Sequence, residues 1–326
     1  MTYYSVFRIF NLLKSDFLPH TMTTVISKVA DKIYLIGHYP KGSMYSFQSF
    51  FIVDEKPVLI ELGPTNFALR ILDSLHKLGY EASSLAYIIP THIHADHCGG
   101  TGYLARQSPN AKVVVHKSGA KHLIDPTRLI EASKASWDED YQREIGPVIP
   151  VPEEQIKVIH GGETISLGKR TLSIIHSPGH ARHHICPYDA NSGELFCGEA
   201  LGMLLPGEEV MVLPIAAPPV FELDVALNTI NKLKRLKPST IFYSHFGISH
   251  HASRCIELVE QNTREWGNIV LRALQAGESS EQIRARLKAI LDKLNPGMAE
   301  TFPLYLDWSV TAYTGYFAKK GMVTHN

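Results

Sequence analysis

The sequence predicts an α/β protein with a helical C-terminal extension. Between residues 23 and 60, short β-type runs alternate with turn residues, which is typical of an antiparallel meander of strands. From there to about residue 245, short apolar runs alternate with amphipathic helical patterns, and beyond residue 250 only helical patterns follow. We therefore expect an N-terminal extension over residues 1–22, an α/β domain over residues 23–249 and a helical extension over residues 250–326.

The N-terminal extension has the pattern of a short amphipathic helix. Arg8, Asn11 and Lys14 interrupt its apolar residues, so neither a signal peptide nor a membrane span is predicted. A natural start at Met22 is an open alternative. No other stretch of the sequence is apolar enough to cross a bilayer, and we expect no membrane partner.

The composition excludes several classes of protein. Lys plus Arg equals Asp plus Glu at 32 each, so there is no basic excess of the kind that nucleic-acid partners require. The 4 cysteines form neither a Cys-x-x-Cys pair nor the spacing of a disulfide framework. This usage fits a reducing compartment, so we expect a cytoplasmic protein.

Residues 91–100 read Thr-His-Ile-His-Ala-Asp-His-Cys-Gly-Gly and follow an apolar run, residues 85–90, that predicts a buried strand. Side chains two residues apart on an extended chain point the same way, so His92 and His94 can reach one metal ion together. Asp96 and His97 follow where the chain turns into a helix, and they can hold a second ion in another direction. The motif therefore predicts a metal site.

Three later positions repeat this design, because each is a metal-ligand type that directly follows a predicted strand. They are His180 after Pro178-Gly179, Glu199 after Cys197-Gly198, and His245 after Tyr243-Ser244. Imidazole mixed with carboxylate suits zinc, although iron and manganese accept the same ligands. Of His183 and His184, one is expected to support a ligand by a hydrogen bond, and we assign His184. The Met- and Pro-rich stretch over residues 202–219 predicts a loop near the site.

The order of these motifs resembles the metallo-β-lactamase superfamily over about residues 23–247, and most of all its glyoxalase II and lactonase-like branch. The resemblance implies a four-layer αβ/βα sandwich with the active site at one edge. It also implies ligands for two metals: His92, His94 and His180 for the first, and Asp96, His97 and His245 for the second, with Glu199 bridging them.

Two residues depart from the superfamily's pattern. Glu199 and Glu61 both stand where the family usually has Asp. Because Glu199 is one methylene longer, three arrangements stay open: it bridges the metals, binds one of them, or sits back from the site. For Glu61 the resemblance implies that its carboxylate orients a ligand histidine.

The predicted function is that of a dinuclear hydrolase. Two cations roughly 3.5–4 Å apart bring the pKa of a shared water toward neutrality, and Asp96 is the expected proton carrier to the leaving group. We expect a zinc enzyme that cleaves a lactone, thioester or carboxylic ester of a small neutral or apolar substrate. Phosphodiesters or phosphotriesters are expected as side substrates.

The alternative is a mononuclear iron oxidoreductase similar to the persulfide dioxygenases, with iron held by His92, His94 and a later carboxylate. The intact set for a second metal argues against it. A diiron electron-transfer protein is less favoured because no flavin-binding domain follows in the sequence. Nucleic-acid processing would need a basic surface. For the aromatic residues of the helical extension, core packing is favoured, while a substrate lid and a homodimer contact stay open.

Overall fold

The computed structural model describes residues 22–40, 46–136, 145–205, 207, 209–294 and 303–323. Residues 1–21, which make up nearly all of the predicted N-terminal extension, lie outside the described residues. The chain divides into two compact units, Met1–Ser173 and Ile174–Asn326. The predicted division into an extension, an α/β domain and a helical tail remains a prediction.

The first unit contains a seven-stranded sheet whose strands lie in chain order. The strands are β1 (Met22–Ala30), β2 (Ile33–Pro40), β3 (Phe47–Ile52), β4 (Val58–Ile60), β5 (Tyr87–Ile89), β6 (Lys112–His116) and β7 (Ile156–Ile159). The first four pair antiparallel, as the meander pattern predicts, and β4 to β7 pair parallel. The carboxyl ends of β4 and β5 therefore meet at one edge, where Glu61 and the histidine motif follow.

The described part of the first unit contains five α-helices. They are α1 (Thr65–Lys77), α2 (Ala95–Cys98), α3 (Thr101–Gln107), α4 (Lys117–Ile124) and α5 (Thr127–Ser136). Ala68, Ile71 and Leu75 recur at helical spacing on α1 and pack with Phe51 and Leu59 of the sheet in one buried cluster. Full burial of each large apolar side chain contributes about 1.5–3 kcal/mol, so this cluster holds the helices against the sheet.

The second sheet has six strands in the order β15-β14-β11-β10-β9-β8. The strands are β8 (Thr164–Ser166), β9 (Thr171–His176), β10 (Ile185–Asp189), β11 (Glu194–Gly198), β14 (Thr240–Tyr243) and β15 (Ile248–Ser249). β11 and β14 are parallel, with Gly198 opposite Tyr243. Consequently Glu199 and Ser244-His245 leave this sheet at the same edge.

The predicted loop over residues 202–219 is wrong in part, because it contains a two-stranded hairpin. β12 (Met203–Leu205) pairs antiparallel with β13 (Met211–Leu213). The two strands have three residues each, which is too short for a period of two to stand out in the sequence. Residues 214–222 then lead into the first helix of the second unit.

Where the structure describes the second unit, four α-helices complete it: α6 (Leu223–Arg235), α7 (Ala252–Gln275), α8 (Ser280–Leu294) and α9 (Pro303–Lys319). Leu233 of α6 and Ile256 of α7 pack with Leu195 and Ile241 of the sheet. In the helical extension, the rings of Trp266 and Tyr305 lie 5.4 Å apart, and the ring of Tyr313 lies 4.9 Å from that of Phe221, which precedes α6. These four aromatic side chains are buried, as core packing requires. No helix among the described residues is long and apolar enough to span a membrane.

Candidate metal centre

His92 and His94 lie on the extended segment between β5 and α2. Nε2 of His92 is 3.1 Å from Nδ1 of His94, so the two imidazoles turn ring nitrogens toward one point. On the far side of its ring, Nδ1 of His92 lies 3.0 Å from the Thr91 hydroxyl, which fixes the ring's orientation. The side chain of His92 is buried and that of His94 is partly exposed. This geometry suits two ligands of a single ion.

Asp96 and His97 lie on the single turn of α2, and Oδ2 of Asp96 is 3.4 Å from Nε2 of His97. The other ring nitrogen, Nδ1–H of His97, donates to Oε2 of Glu61 at 2.6 Å. Because the carboxylate accepts a hydrogen bond from Nδ1–H, the proton of the neutral ring stays on Nδ1 and the lone pair of Nε2 faces Asp96. Metal-ligating histidines have this arrangement. Both side chains are buried.

Glu61 holds two parts of the motif at once. While Oε2 binds His97, Oε1 accepts the backbone N–H of Thr91 at 2.8 Å. The carboxylate is buried, and the residue adopts a left-handed backbone conformation with φ 60°. That conformation is uncommon for a residue with a side chain and occurs mostly where the surroundings impose it. Glu61 therefore connects the end of β4 to the histidine motif, and its part in orienting a ligand stays a prediction.

The two glycines after the motif allow its backbone to pass close to the loop that follows β4. A Cβ at Gly99 would lie 3.2 Å from the backbone nitrogen of Thr65, and one at Gly100 would lie 3.0 Å from the carbonyl oxygen of Leu62. The backbone of Gly100 donates to the carbonyl of Gly63 at 3.0 Å. Cys98 is buried beside them, and burial raises the pKa of its thiol, so the thiol stays protonated and packs as a small apolar group.

In the second unit, His180 lies on the loop after β9. This loop packs against α6, because a Cβ at Gly179 would lie 2.5 Å from the Cα of Ala226 and φ of Gly179 is 136°. Nδ1–H of His180 points at the carbonyl oxygen of Ile215, 3.4 Å away. Its Nε2 is thereby turned toward Oε2 of Glu199, at 2.9 Å.

Glu199 places one carboxylate oxygen near each of two histidines. Oε2 lies 2.9 Å from Nε2 of His180, and Oε1 lies 3.4 Å from Nε2 of His245. All three side chains are buried. The backbone N–H of Glu199 donates to Nε2 of His184 at 3.2 Å, so His184 supports the loop of Glu199. The buried carboxylate of Glu199 thus faces two separate imidazoles.

Among the described residues, the side chains that belong to groups able to hold a metal ion are the seven that the sequence predicts: His92, His94, Asp96 and His97 in the first unit, and His180, Glu199 and His245 in the second. Their assignment to particular ions remains a prediction. The sequence could not indicate the carbonyl of Ile215 or the N–H of Thr91, because backbone groups carry no residue-type signal.

Replacing Glu61 with glutamine is expected to weaken metal binding about 10- to 100-fold. Both partners of Glu61 are N–H donors, so the amide of glutamine can accept from only one of them and turns its own N–H₂ toward the other. We expect the free energy of unfolding to fall by about 1–3 kcal/mol as well. Chelator competition and urea denaturation measure the two effects.

Glu163 offers a matched control, because its two oxygens also accept backbone N–H groups, those of His160 and Gly161, each at 2.7 Å. It belongs to none of the groups able to hold a metal ion. Metal affinity is therefore expected to be unchanged in Glu163→Gln. Equal metal affinities in Glu61→Gln and the wild type would contradict the role given to Glu61.

Comparison with known sequences identifies the family. The profile of the Metallo-beta-lactamase superfamily matches residues 46–245, which include all seven candidate ligands. The chain is 29% identical over 194 residues to a metallo-beta-lactamase fold-containing protein of Sulfurisphaera tokodaii, covering 59% of this chain and 69% of that protein. It is 31% identical over 131 residues to a hydroxyacylglutathione hydrolase of a Synechococcus strain, covering 40% of this chain and 39% of that enzyme.

A third relative is an N-acyl homoserine lactonase of a Bacillus species, 28% identical over 182 residues, with 54% of this chain and 62% of the lactonase covered. The chain thus spans well under two thirds of the hydroxyacylglutathione hydrolase and a little under two thirds of the lactonase. A further similar protein is the acyl-coenzyme A thioesterase MBLAC2 of Gallus gallus, 30% identical over 122 residues, which cover 35% of this chain and 40% of the thioesterase.

Solved structures agree on the fold. A metallo-beta-lactamase family protein of Thermus thermophilus superimposes with a TM-score of 0.65 at 18% identity, covering 90% of this chain and 95% of that one. The flavodiiron core of Flv1 from Synechocystis superimposes with a TM-score of 0.55 at 17% identity, covering 76% of this chain and 61% of that one. The predicted fold class, an α/β sandwich with additional C-terminal helices, is confirmed. The chain belongs to the metallo-beta-lactamase superfamily.

Proposed function

We propose that the chain is a dinuclear metallohydrolase. In this proposal His92, His94 and His180 bind one divalent ion, Asp96, His97 and His245 bind the other, and Glu199 bridges the two. The observation that carries the proposal is the carboxylate of Glu199, which turns one oxygen to His180 and the other to His245. These two histidines are the ones assigned to different ions.

The donor set supports a pair of zinc ions. For two of the histidines, the second ring nitrogen faces a group typical of ligand histidines: the Glu61 carboxylate for His97 and the Ile215 carbonyl for His180. Neutral imidazoles that donate in this way leave the opposite nitrogen for a metal. Zinc prefers such nitrogen donors combined with carboxylate oxygen, whereas a site for magnesium or calcium would consist of oxygen donors.

The reaction we propose is hydrolysis of an acyl bond to oxygen or sulfur. A pair of bound divalent ions supplies an acidified water and an electrophile for the scissile carbonyl oxygen. Asp96 would take up the proton of the attacking water and deliver it to the leaving oxygen or sulfur. Its carboxylate is buried, and Oδ2 lies 3.4 Å from Nε2 of His97.

The substrate we propose carries an apolar acyl group in an ester-like bond. The names of the relatives include a lactonase, a hydroxyacylglutathione hydrolase and an acyl-coenzyme A thioesterase, and all three names describe cleavage of an acyl bond. Next to His180, the segment over residues 215–220 has the sequence Ile-Ala-Ala-Pro-Pro-Val and is mostly half-buried. An apolar wall beside a ligand favours a neutral or apolar substrate over a polyanion.

A substrate panel tests this proposal. We expect the purified protein to hydrolyse at least one member of a set of lactones, acyl thioesters and carboxylic esters, with higher kcat/KM for longer acyl chains. Activity should disappear after dialysis against a chelator and return with Zn²⁺. Phosphodiesters and phosphotriesters, included in the same panel, are expected to react more slowly. Preferred turnover of phosphodiesters, or activity that survives metal removal, would overturn the proposal.

A further inference from the structure

The orientation of His180 depends on a backbone carbonyl. Nδ1–H of His180 faces the oxygen of Ile215 at 3.4 Å, and this contact directs the opposite nitrogen, Nε2, to the metal side. Partners of this kind fix the ring orientation of ligand histidines, and their loss weakens metal binding. Whatever holds the peptide of Ile215 in place therefore also holds His180 in place.

The segment that carries Ile215 is irregular. It lies between β13 and α6, and residues 214–217 belong to no helix or strand. Its first residue is anchored by the C-terminal helix α9, because Oη of Tyr305 donates to the carbonyl oxygen of Pro214 at 2.7 Å. That carbonyl belongs to the peptide bond that joins Pro214 to Ile215, so the hydroxyl of Tyr305 restrains the peptide plane directly before the one that faces His180.

Tyr305 is itself held in place. Its ring packs on that of Trp266 from α7, and the side chain is 4% exposed. At the other end of the segment, Phe221 packs on Tyr313 of α9, and Oε1 of Glu222 lies 3.1 Å from Nζ of Lys319. The C-terminal helix α9 thus contacts residues 214–222 at both ends of the segment. Tyr305 makes the contact with the peptide bond that precedes Ile215.

We propose that Tyr305 is a positioning residue for the metal ligand His180, acting through the peptide between Pro214 and Ile215. This inference rests on the proposed function, in which His180 binds the first ion. In this proposal the helical extension positions a metal ligand in addition to packing in the core. Loss of the Tyr305 hydroxyl frees the Pro214 carbonyl, lets the Ile215 carbonyl move away from Nδ1 of His180, and so lowers metal affinity.

The experiment compares Tyr305→Phe with Tyr313→Phe. Tyr313 is a matched control, since it lies on the same helix, is also buried, and donates its hydroxyl to a backbone carbonyl, that of Thr263 at 3.0 Å. Zn²⁺ affinity of each full-length variant is measured by competition with a chromophoric chelator, alongside thermal denaturation. We expect Tyr305→Phe to bind the first Zn²⁺ about tenfold more weakly, and Tyr313→Phe to bind as the wild type does, with similar small losses of thermal stability in both.

Equal Zn²⁺ affinities in the two variants would overturn the inference, because both lose one buried hydroxyl. His180→Ala, measured in parallel, separates this failure from that of the proposed function. If His180→Ala loses affinity while Tyr305→Phe does not, His180 is a ligand and only the role of Tyr305 is wrong. If His180→Ala binds Zn²⁺ as the wild type does, the ligand assignment is wrong and the role of Tyr305 falls with it.

Discussion

Turnover by the His94→Ala variant is expected to fall at least about 1,000-fold, because loss of a ligand removes several kcal/mol of charge stabilisation by the metal from the transition state. Nδ1 of His94 lies 3.1 Å from Nε2 of His92, so both imidazoles face the same candidate ion. A comparable loss is expected for Asp96→Ala, through both metal binding and proton transfer. Steady-state kinetics with the best substrate of the panel measure both effects.

His160 provides the control for these two variants. It is an exposed histidine in the turn after β7 and belongs to none of the groups able to hold a metal ion, so His160→Ala should keep wild-type turnover. Circular dichroism should show that all three variants are folded. Turnover near that of the wild type in folded His94→Ala or Asp96→Ala would refute the proposed metal centre.

The Glu199→Gln variant is expected to bind about one metal ion fewer per chain and to turn over at least about 100-fold more slowly. Glutamine keeps the length of the side chain but replaces the charge with an amide, whose N–H₂ cannot ligate a cation. One of the two histidines that Glu199 faces would then face the N–H₂ group of the amide instead of a carboxylate oxygen. Elemental analysis and kinetics of the same preparation measure the two changes.

Glu194 gives a control from the strand that precedes Glu199. It is buried at the start of β11, and its carboxylate accepts the hydroxyl of Ser192 at 2.7 Å. The Glu194→Gln variant should therefore keep the wild-type metal content, whatever it loses in stability. A full metal complement in Glu199→Gln would mean that Glu199 sits back from the site, which is one of the arrangements that the sequence leaves open.

Most residues of the candidate site could be predicted because they directly follow the ends of predicted strands. Each of the predicted ligands follows a short apolar run, and a run of that kind predicts a buried strand from residue types alone. Glu61 could be placed only through the resemblance to the superfamily, because a single glutamate after Ile60 has no periodicity or spacing of its own. The structure shows why a carboxylate stands at this position, since that of Glu61 accepts hydrogen bonds from both Thr91 and His97.

Other features could not be predicted from the sequence, for physical reasons. β10 lies inside the second sheet but contains Pro187, and proline in a run normally argues against an interior strand. The sequence predicts a supporting role for His184 but not its partner, the backbone N–H of Glu199, because backbone partners leave no trace in the sequence. The contact of Tyr305 with Pro214 joins residues 91 positions apart, which only the folded chain brings together.

Metal content per chain tests the central claim most directly. The protein would be purified without added metal or chelator and analysed for zinc, iron and manganese against its concentration. The dinuclear hydrolase predicts about two ions per chain, zinc or a mixture of two metals, in line with the two ligand sets. A content of one iron per chain and no other metal would contradict the account and favour the mononuclear oxidoreductase.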